Sequence, residues 1–295
     1  MAVGSDMACR LLDDAGALLG EGPVWVSGEN ALYWVDIKGR RLNRYKLADG
    51  AIDRWSVHDN LAWVVPRRGG GWIAGLRHEI GELSLNPELS FEPRLKVEPE
   101  SSGNRLNDAK TDCDGSILFG TMDDEERSGT GAFYHLRQDF TLQKMDKNYV
   151  IANGPAVSAD GKIIYHTDSA LRTIYRFSRE ADGTLGARIP FIRFADSDGF
   201  PDGMTLDAQG GLWVAHWGGG RVSRFDAEGR LDQTFSLPVS QVTSCCFGGA
   251  NLDRLFITSA AIGLSPAQRA REPLAGGLFE ITPGFSGFPL PDFTG

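Results

Sequence analysis

The chain reads Gln209-Gly210-Gly211-Leu212-Trp213-Val214-Ala215 near its middle, a tight turn followed by a short apolar run, and it returns to this pattern along its length. Runs of this kind, bounded by turn residues, are typical of strands that are buried on both faces. There are six of them: Leu32-Tyr33-Trp34-Val35, Gly71-Trp72-Ile73-Ala74, Ile117-Leu118-Phe119-Gly120, Ile163-Ile164-Tyr165-His166, Leu212-Trp213-Val214-Ala215 and Leu255-Phe256-Ile257-Thr258. Their centres are 39, 46, 46, 49 and 43 residues apart, which is the length of a propeller blade.

A second, alternating strand follows each run, and several of these strands end at a hairpin signal such as Asp49-Gly50 or Glu228-Gly229. We therefore predict an all-β, six-bladed β-propeller with four antiparallel strands per blade, in a single domain over residues 1–295. The stretch Ala8 to Asp13 has no hairpin partner of its own and is predicted to close the last blade. A β-sandwich also has evenly spaced strands, but it has no reason to repeat at one long period.

The composition limits the partners of this chain. Its 295 residues carry 39 acidic and 30 basic side chains, a net charge of -9, and the basic residues are scattered. Nucleic acids and anionic membranes are poor partners for such a surface. The first twenty residues carry three aspartates and no long apolar run, so we expect a cytoplasmic protein, and a monomer. The four cysteines show neither a disulfide framework nor zinc-binding spacing.

Innermost strands of a propeller line its central channel, so residues at one phase of the repeat form a ring. Counting back from the six runs gives the positions Glu21, Leu61, Asn107, Asn153, Asp202 and Cys245. Two carboxylates in one narrow channel repel each other and lose hydration, and a cation offsets that cost. The sequence therefore predicts one divalent metal ion on Glu21, Asn153 and Asp202. The alternative is that these residues only cap turns at the rim.

An all-oxygen donor set suits hard cations. Ca²⁺ is the first choice, and Zn²⁺, Mn²⁺, Mg²⁺ and Fe²⁺ remain open. None of the five histidines has metal-ligand spacing, although His216, beside Trp217-Gly218-Gly219-Gly220, is placed to reach the mouth of the channel.

Six segments together resemble a known family: Leu19-Gly20-Glu21-Gly22-Pro23-Val24-Trp25, Asn104-Arg105-Leu106-Asn107-Asp108, Phe119-Gly120-Thr121-Met122, Ala152-Asn153-Gly154-Pro155, Tyr165-His166-Thr167-Asp168 and Phe200-Pro201-Asp202-Gly203. They are similar to the regucalcin (senescence marker protein), gluconolactonase and sugar lactonase family of six-bladed propellers. The resemblance implies that Glu21, Asn153 and Asp202 bind the metal, that Arg105 and Asn107 contact substrate, and that Asp202 is also the catalytic acid or base.

The function expected from this site is metal-dependent hydrolysis of a sugar lactone to the aldonic acid, because a metal polarises the carbonyl or a bound water. Asp123, in the acidic run Asp123-Asp124-Glu125-Glu126, is predicted as a further substrate-side residue. Two alternatives remain open. One is a paraoxonase-like ester or phosphotriester hydrolase, and the other is a non-catalytic propeller that binds a metal or a protein partner.

Overall fold

The computed structural model describes residues 9–180 and 182–295 and contains six four-stranded antiparallel sheets. The first three blades after the closing strand β1 (Arg10–Asp13) are β2 (Gly20–Val26), β3 (Ala31–Asp36), β4 (Arg41–Lys46) and β5 (Ile52–Ser56); β6 (Leu61–Pro66), β7 (Trp72–Leu76), β8 (Glu79–Ser84) and β9 (Ser90–Lys96); and β10 (Asn104–Thr111), β11 (Ile117–Asp123), β12 (Gly131–Leu136) and β13 (Leu142–Tyr149). The other three are β14 (Ala152–Val157), β15 (Ile163–Asp168), β16 (Thr173–Ser178) and β17 (Ile189–Arg193); β18 (Phe200–Leu206), β19 (Leu212–Trp217), β20 (Arg221–Phe225) and β21 (Leu231–Ser236); and β22 (Val242–Gly248), β23 (Arg254–Ser259) and β24 (Leu278–Ile281).

The ring closes as the sequence predicts. Strand β1 pairs antiparallel with β24, so that the sixth blade combines both ends of the chain. The predicted closing stretch begins at Ala8, which lies outside the described residues, and the strand itself begins at Arg10. Closure leaves only short outer edges to the sheets.

The six apolar runs form the second strand of each blade, and the prediction of a six-bladed propeller is confirmed. Each of these strands lies inside a blade whose two faces pack against the neighbouring blades, so its side chains are buried on both faces. Strand β3 is buried at every position, and Trp213 of β19 has no exposed surface. The outermost strands face solvent and are polar, as β9 illustrates. The core is thus a set of apolar layers between blades, such as the one that joins Trp213 to Phe247.

Each innermost strand contains one bulge near its beginning. In β2, for example, Glu21 pairs with Val35 and Val24 pairs with Tyr33, so three steps on one strand oppose two on the other. A bulge bends its strand and redirects side chains. The bulges of β2, β10, β14 and β18 hold the polar residues Glu21, Asn107, Asn153 and Asp202 and can turn them toward the channel axis, whereas the bulge of β6 is apolar.

Residues 282–295, the C-terminal strap, follow β24 and cross the face opposite to the bulges. Phe293 donates its N–H to Pro66 O at 2.8 Å and is fully buried against Phe140. The strap lies across the far end of the channel, where a partly open cavity of about 100 Å³ lies between its residues 287–292 and the innermost strands. Within the described residues no helix is long and apolar enough to cross a membrane, and the one α-helix, α1 (Pro266–Arg271), has six residues.

Candidate active site

The bulges place the predicted ring residues at one level of the channel. Glu21 and Asn153 are the last paired residues before the bulges of β2 and β14, whereas Asn107 and Asp202 lie inside the bulges of β10 and β18, one position later. The ring positions that were counted from the sequence are therefore correct only to within one residue, because each bulge adds a residue to its strand. Cys245 is wrong as a ring member: it pairs with Ile257 beyond the bulge of β22, deeper in the channel.

Two glycines allow the backbone of the innermost strands to pack closely against neighbouring strands at the bulges. Gly154 has φ +73°, and a Cβ placed on it would lie 2.7 Å from Met204 Cε. A Cβ on Gly203 would collide with the side chain of Ser244. Gly154 is thus required both for its left-handed backbone and for space, and Gly203 is required for space.

One cavity of about 360 Å³ opens at this mouth of the channel. Five of the predicted residues line it: Glu21, Arg105, Asn107, Asn153 and Asp202. Its lining also includes the charged residues Lys38, Asp124 and Glu126 and the apolar side chains of Ile151, Phe200, Trp217 and Ile262. The pocket can accordingly hold a small molecule that has both polar and apolar surface.

A chain of hydrogen bonds orients the amides. Arg105 Nη1 donates to Asn107 Oδ1 at 2.6 Å, Asn107 Nδ2 donates to Asn153 Oδ1 at 2.8 Å, and Asn153 Nδ2 donates to Ser169 Oγ at 3.0 Å. Ser169 Oγ then donates to Pro201 O at 2.6 Å. Because Asn107 also donates to Ala152 O, both of its N–H groups are engaged inside the protein. This chain fixes Asn153 Oδ1 with one lone pair left for a ligand.

Three buried carboxyl groups meet under the pocket, from Glu21, Asp108 and Asp202. Burial, reinforced by the charge of Asp108, raises the pKa of Glu21 to about 8. Burial also raises the pKa of Asp108 to about 6. The pKa of Asp202 is raised well above its ordinary value by burial and then by the charges of Glu21 and Asp108. Ionisation of this group of carboxyls therefore needs a compensating cation.

The residues present fit a divalent metal ion. Asp202 Oδ1 is buried and makes no hydrogen bond within residues 9–180 and 182–295, and the same holds for Asp108 Oδ2. Orphaned carboxylate oxygens are rare unless an ion or water completes them. Together with Glu21 and Asn153 Oδ1 they form the all-oxygen donor set that hard cations prefer.

In the acidic run Asp123-Asp124-Glu125-Glu126, the residue that lines the pocket differs from the one predicted. Asp123 accepts hydrogen bonds from the backbone N–H groups of Glu125, Arg127 and Ser128, and it is absent from the pocket lining. Asp124 lines the pocket instead, and its Oδ1 accepts from Lys38 Nζ and from Arg105 Nε, both at 2.8 Å. The structure does not bring Asp123 together with the other predicted residues.

Three further observations concern residues that sequence reasoning missed or misplaced. Ser169 and Trp217 belong to the site, and each directly follows or ends a second strand, which is a positional signal that was available. His216 does not reach the mouth: it is buried, stacks on Phe194, and its Nδ1 lies 2.8 Å from Asp198 O. Burial lowers the pKa of His216 to about 4, so it is a neutral packing residue.

A second cluster lies where β10 turns into β11, on the face opposite to the pocket, and consists of Asp112, Asp114 and His135. Arg179 Nη2 lies 2.5 Å from Asp112 Oδ2, and His135 Nε2 lies 2.6 Å from Ser116 Oγ. The arginine already supplies a positive charge here. We therefore interpret this cluster as a structural ion pair.

The chain also matches known proteins. A family model described as "SMP-30/Gluconolactonase/LRE-like region" matches residues 19–261. The chain belongs to this family. Its relatives include regucalcin of Gallus gallus, 36% identical over 285 residues (94% of this chain and 95% of the relative), and L-arabinolactonase of Azospirillum brasilense, 35% identical over 289 residues (97% and 95%).

A solved structure of the family shares the architecture. The structure of a calcium-binding protein, regucalcin, from Agrobacterium tumefaciens superimposes with a TM-score of 0.93, at 27% identity and over 97% of both chains. The predicted family resemblance is thus confirmed. The matched range contains Glu21, Arg105, Asn107, Asn153 and Asp202, and the pocket-lining Ile262 lies one residue beyond it.

Proposed function

We propose that this protein is a metal-dependent lactonase that hydrolyses a sugar lactone to the aldonic acid. One observation carries the proposal: Glu21, Asn153 and Asp202 converge at the floor of a single pocket, and Asp202 Oδ1 has no hydrogen-bond partner among the described residues. Family membership and the relative named L-arabinolactonase support the lactonase class.

Glu21, Asn153 and Asp202 would hold one divalent ion, for which Ca²⁺ is the first choice because all the donors are oxygen. When bound, the ion supplies Lewis-acid polarisation of the lactone carbonyl or of a water. The protein orients its own ligands in advance, since Asn153 Oδ1 is fixed by Asn107. Such preorganisation lowers the cost of reaching the transition state.

Arg105 and Asn107 would bind the sugar. Arg105 uses Nε for Asp124 and Nη1 for Leu106 O and Asn107, while its Nη2 makes no hydrogen bond with the described residues and can donate to a ring or hydroxyl oxygen. Asn107 has only Oδ1 left to accept from a hydroxyl group, because both of its N–H donors are used. Trp217 and Phe200 would contact the C–H face of the sugar.

Asp202 would act as the general base and acid. With one carboxylate oxygen on the metal ion, the other would accept a proton from the attacking water and return it to the ring oxygen as the C–O bond breaks. The leaving alkoxide stays attached to the product because the ester is cyclic. Burial favours this proton transfer by keeping the carboxylate basic.

The test is acid release from a panel of aldonolactones, among them arabino- and gluconolactone, with a phosphotriester as the comparison substrate. We expect turnover of a lactone that stops on chelation and returns when Ca²⁺ or another divalent ion is added back. Asp202→Asn should lose at least about a thousandfold in kcat while its unfolding profile stays that of the parent protein. Full activity of Asp202→Asn, or lactone turnover that chelation leaves untouched, would contradict the proposal.

A further inference from the structure

Ser169 connects two neighbouring blades within the lining of the pocket. It directly follows β15 and is buried, and its backbone N–H donates to Ile151 O of its own blade at 2.9 Å. Its hydroxyl reaches the next blade, where Oγ donates to Pro201 O at 2.6 Å. Asn153 Nδ2 donates to the same Oγ at 3.0 Å. One hydroxyl group therefore lies between β14 and β18, the strands that carry Asn153 and Asp202.

The direction of the hydrogen bond between Ser169 and Asn153 follows from the chemistry of the two groups. A serine hydroxyl has one proton, and a carbonyl oxygen can only accept. Because Ser169 Oγ gives its proton to Pro201 O, it can only accept from the side chain of Asn153. The atom of Asn153 that faces Ser169 is consequently the amide nitrogen, and Oδ1 points away from the hydroxyl.

The other end of the hydrogen-bond chain gives the same orientation independently. An arginine has donors only, so Asn107 presents Oδ1 to Arg105 Nη1 and turns its Nδ2 toward Asn153. That N–H group needs an acceptor, which is Asn153 Oδ1 at 2.8 Å. The amide of Asn153 is thus held from both sides, by a donor at its oxygen and by an acceptor at its nitrogen.

The orientation of this amide decides whether Asn153 can bind a cation. The oxygen and the nitrogen of an asparagine amide occupy nearly the same space, so a half-turn of the amide exchanges them. Only the oxygen is a ligand for a hard cation, whereas the N–H groups would repel it. Partners that orient metal ligands in this way change metal affinity by about 10- to 100-fold when they are removed.

We propose that Ser169 is a positioning residue, which keeps Asn153 Oδ1 turned toward the metal by accepting from Asn153 Nδ2. The inference rests on the metal site of the proposed function and goes beyond it, because it assigns part of the affinity for the ion to a hydroxyl group that is not one of the ligands. It also makes the ligand of the fourth blade depend on the backbone of the fifth blade, through Pro201 O.

The experiment titrates Ca²⁺, and Mn²⁺ in parallel, into metal-stripped protein by calorimetry, so that affinity is measured without substrate. Ser169→Ala removes the acceptor and keeps the backbone N–H that holds the residue in place. Ser169→Cys nearly keeps the shape of the side chain and replaces the hydroxyl by a weak donor and acceptor. We expect both variants to raise the Kd for the ion at least about tenfold, because Asn153 Nδ2 loses its partner and the amide is free to turn.

Two further variants separate positioning from general packing. Ser169→Thr keeps the hydroxyl and should bind the ion with the parent affinity. Ser259 is the matched control, because it is buried and its Oγ donates to Gly277 O at 2.7 Å. Ser259→Ala loses a hydrogen bond of the same kind and should keep the parent Kd. A merely structural role would lower the unfolding temperature of both metal-free alanine variants and leave both Kd values unchanged.

Parent affinity in folded Ser169→Ala and Ser169→Cys, or an equal loss of affinity in Ser259→Ala, would overturn the role of Ser169 and leave the metal site standing. Failure of all three Ser169 variants to fold would overturn it as well, because the residue would then be structural. A parent protein that binds neither ion would overturn the proposed metal site and this inference together.

Discussion

At the scale of single residues, the buried carboxyl groups of Glu21, Asp108 and Asp202 are costly to ionise in the metal-free protein. Each is buried, and the charge of Asp108 further raises the pKa of both Glu21 and Asp202. These groups therefore lower the free energy of unfolding of the metal-free protein. Binding of a cation to the folded state raises that free energy again. This is the arrangement expected of a binding site, where local stability is sacrificed for function.

The first prediction concerns Glu21→Gln. Without metal, the variant should be at least as stable as the parent, because one crowded carboxyl is removed from the group. Added Ca²⁺ should no longer raise its unfolding temperature, since a ligand is lost. Glu126→Gln, at the pocket rim, is the matched control and should keep the metal-induced rise. A Glu21→Gln protein that Ca²⁺ still stabilises fully would contradict the assignment.

The second prediction separates Asp123 from Asp124. Asp124→Asn should raise KM about tenfold and change kcat less, because Arg105 loses an ion pair worth about 1 to 2 kcal/mol that orients it. Asp123→Asn should loosen its loop and leave KM unchanged, because its carboxylate serves backbone N–H groups. The opposite pattern would make Asp123 the substrate-side residue, as the sequence predicts.

Among structural elements, the bulges of the innermost strands connect sequence to site. The blade period could be read from the sequence because turns and apolar runs repeat. The exact phase could not, because a bulge inserts a residue without changing composition. Glu21 and Asn153 therefore stand one position before Asn107 and Asp202, and Cys245 falls below the ring.

The loop residues were harder to place for a related reason. The sequence does not distinguish Asp123 from Asp124, since adjacent residues of an acidic run differ only in where the backbone turns. Ser169 and Trp217 carry no motif of their own; their place at the end of a second strand was a signal, but their contacts with the site appear once neighbouring blades are assembled.

The third prediction tests the bulge of β14. Gly154→Ala should destabilise the protein by more than the ~1 to 2 kcal/mol of a left-handed alanine, because its Cβ also meets Met204. It should weaken Ca²⁺ binding as well, because Asn153 moves with the bulge. Gly210 is the control, because it has φ +79° and open space around it. Gly210→Ala should lower the free energy of unfolding only by the backbone strain and should leave Ca²⁺ affinity unchanged.

At the scale of the whole molecule, the two ends of the chain have different structural roles: the N-terminal strand closes the ring, and the C-terminal strap lies across the far end of the channel. Strand β1 completes the sixth blade, and the strap ties the far face to the second and third blades through Pro66 and Gly115. The strap was not anticipated from the sequence, because residues 282–295 contain prolines and glycines and no strand pattern. The strap thus lies at the end of the channel opposite to the pocket.

The fourth prediction addresses this strap. Phe293→Ala should lower the free energy of unfolding by about 3 to 5 kcal/mol, because a fully buried ring is removed. Since Phe293 lies at the end of the channel opposite to the pocket, kcat/KM measured well below the unfolding temperature should stay at the parent value. Leu290→Ala, a strap residue that is 40% exposed, should change stability little. Loss of activity without loss of stability in Phe293→Ala would contradict this division.

The central claim is that one divalent ion sits where the repeat brings Glu21, Asn153 and Asp202 together. Anomalous diffraction from crystals soaked in Mn²⁺ tests it most directly. We predict a single strong peak within about 2.0 to 2.6 Å of oxygens of all three side chains. A soaked crystal without a peak at this position, or with its peak at Asp112, Asp114 and His135, would contradict the account.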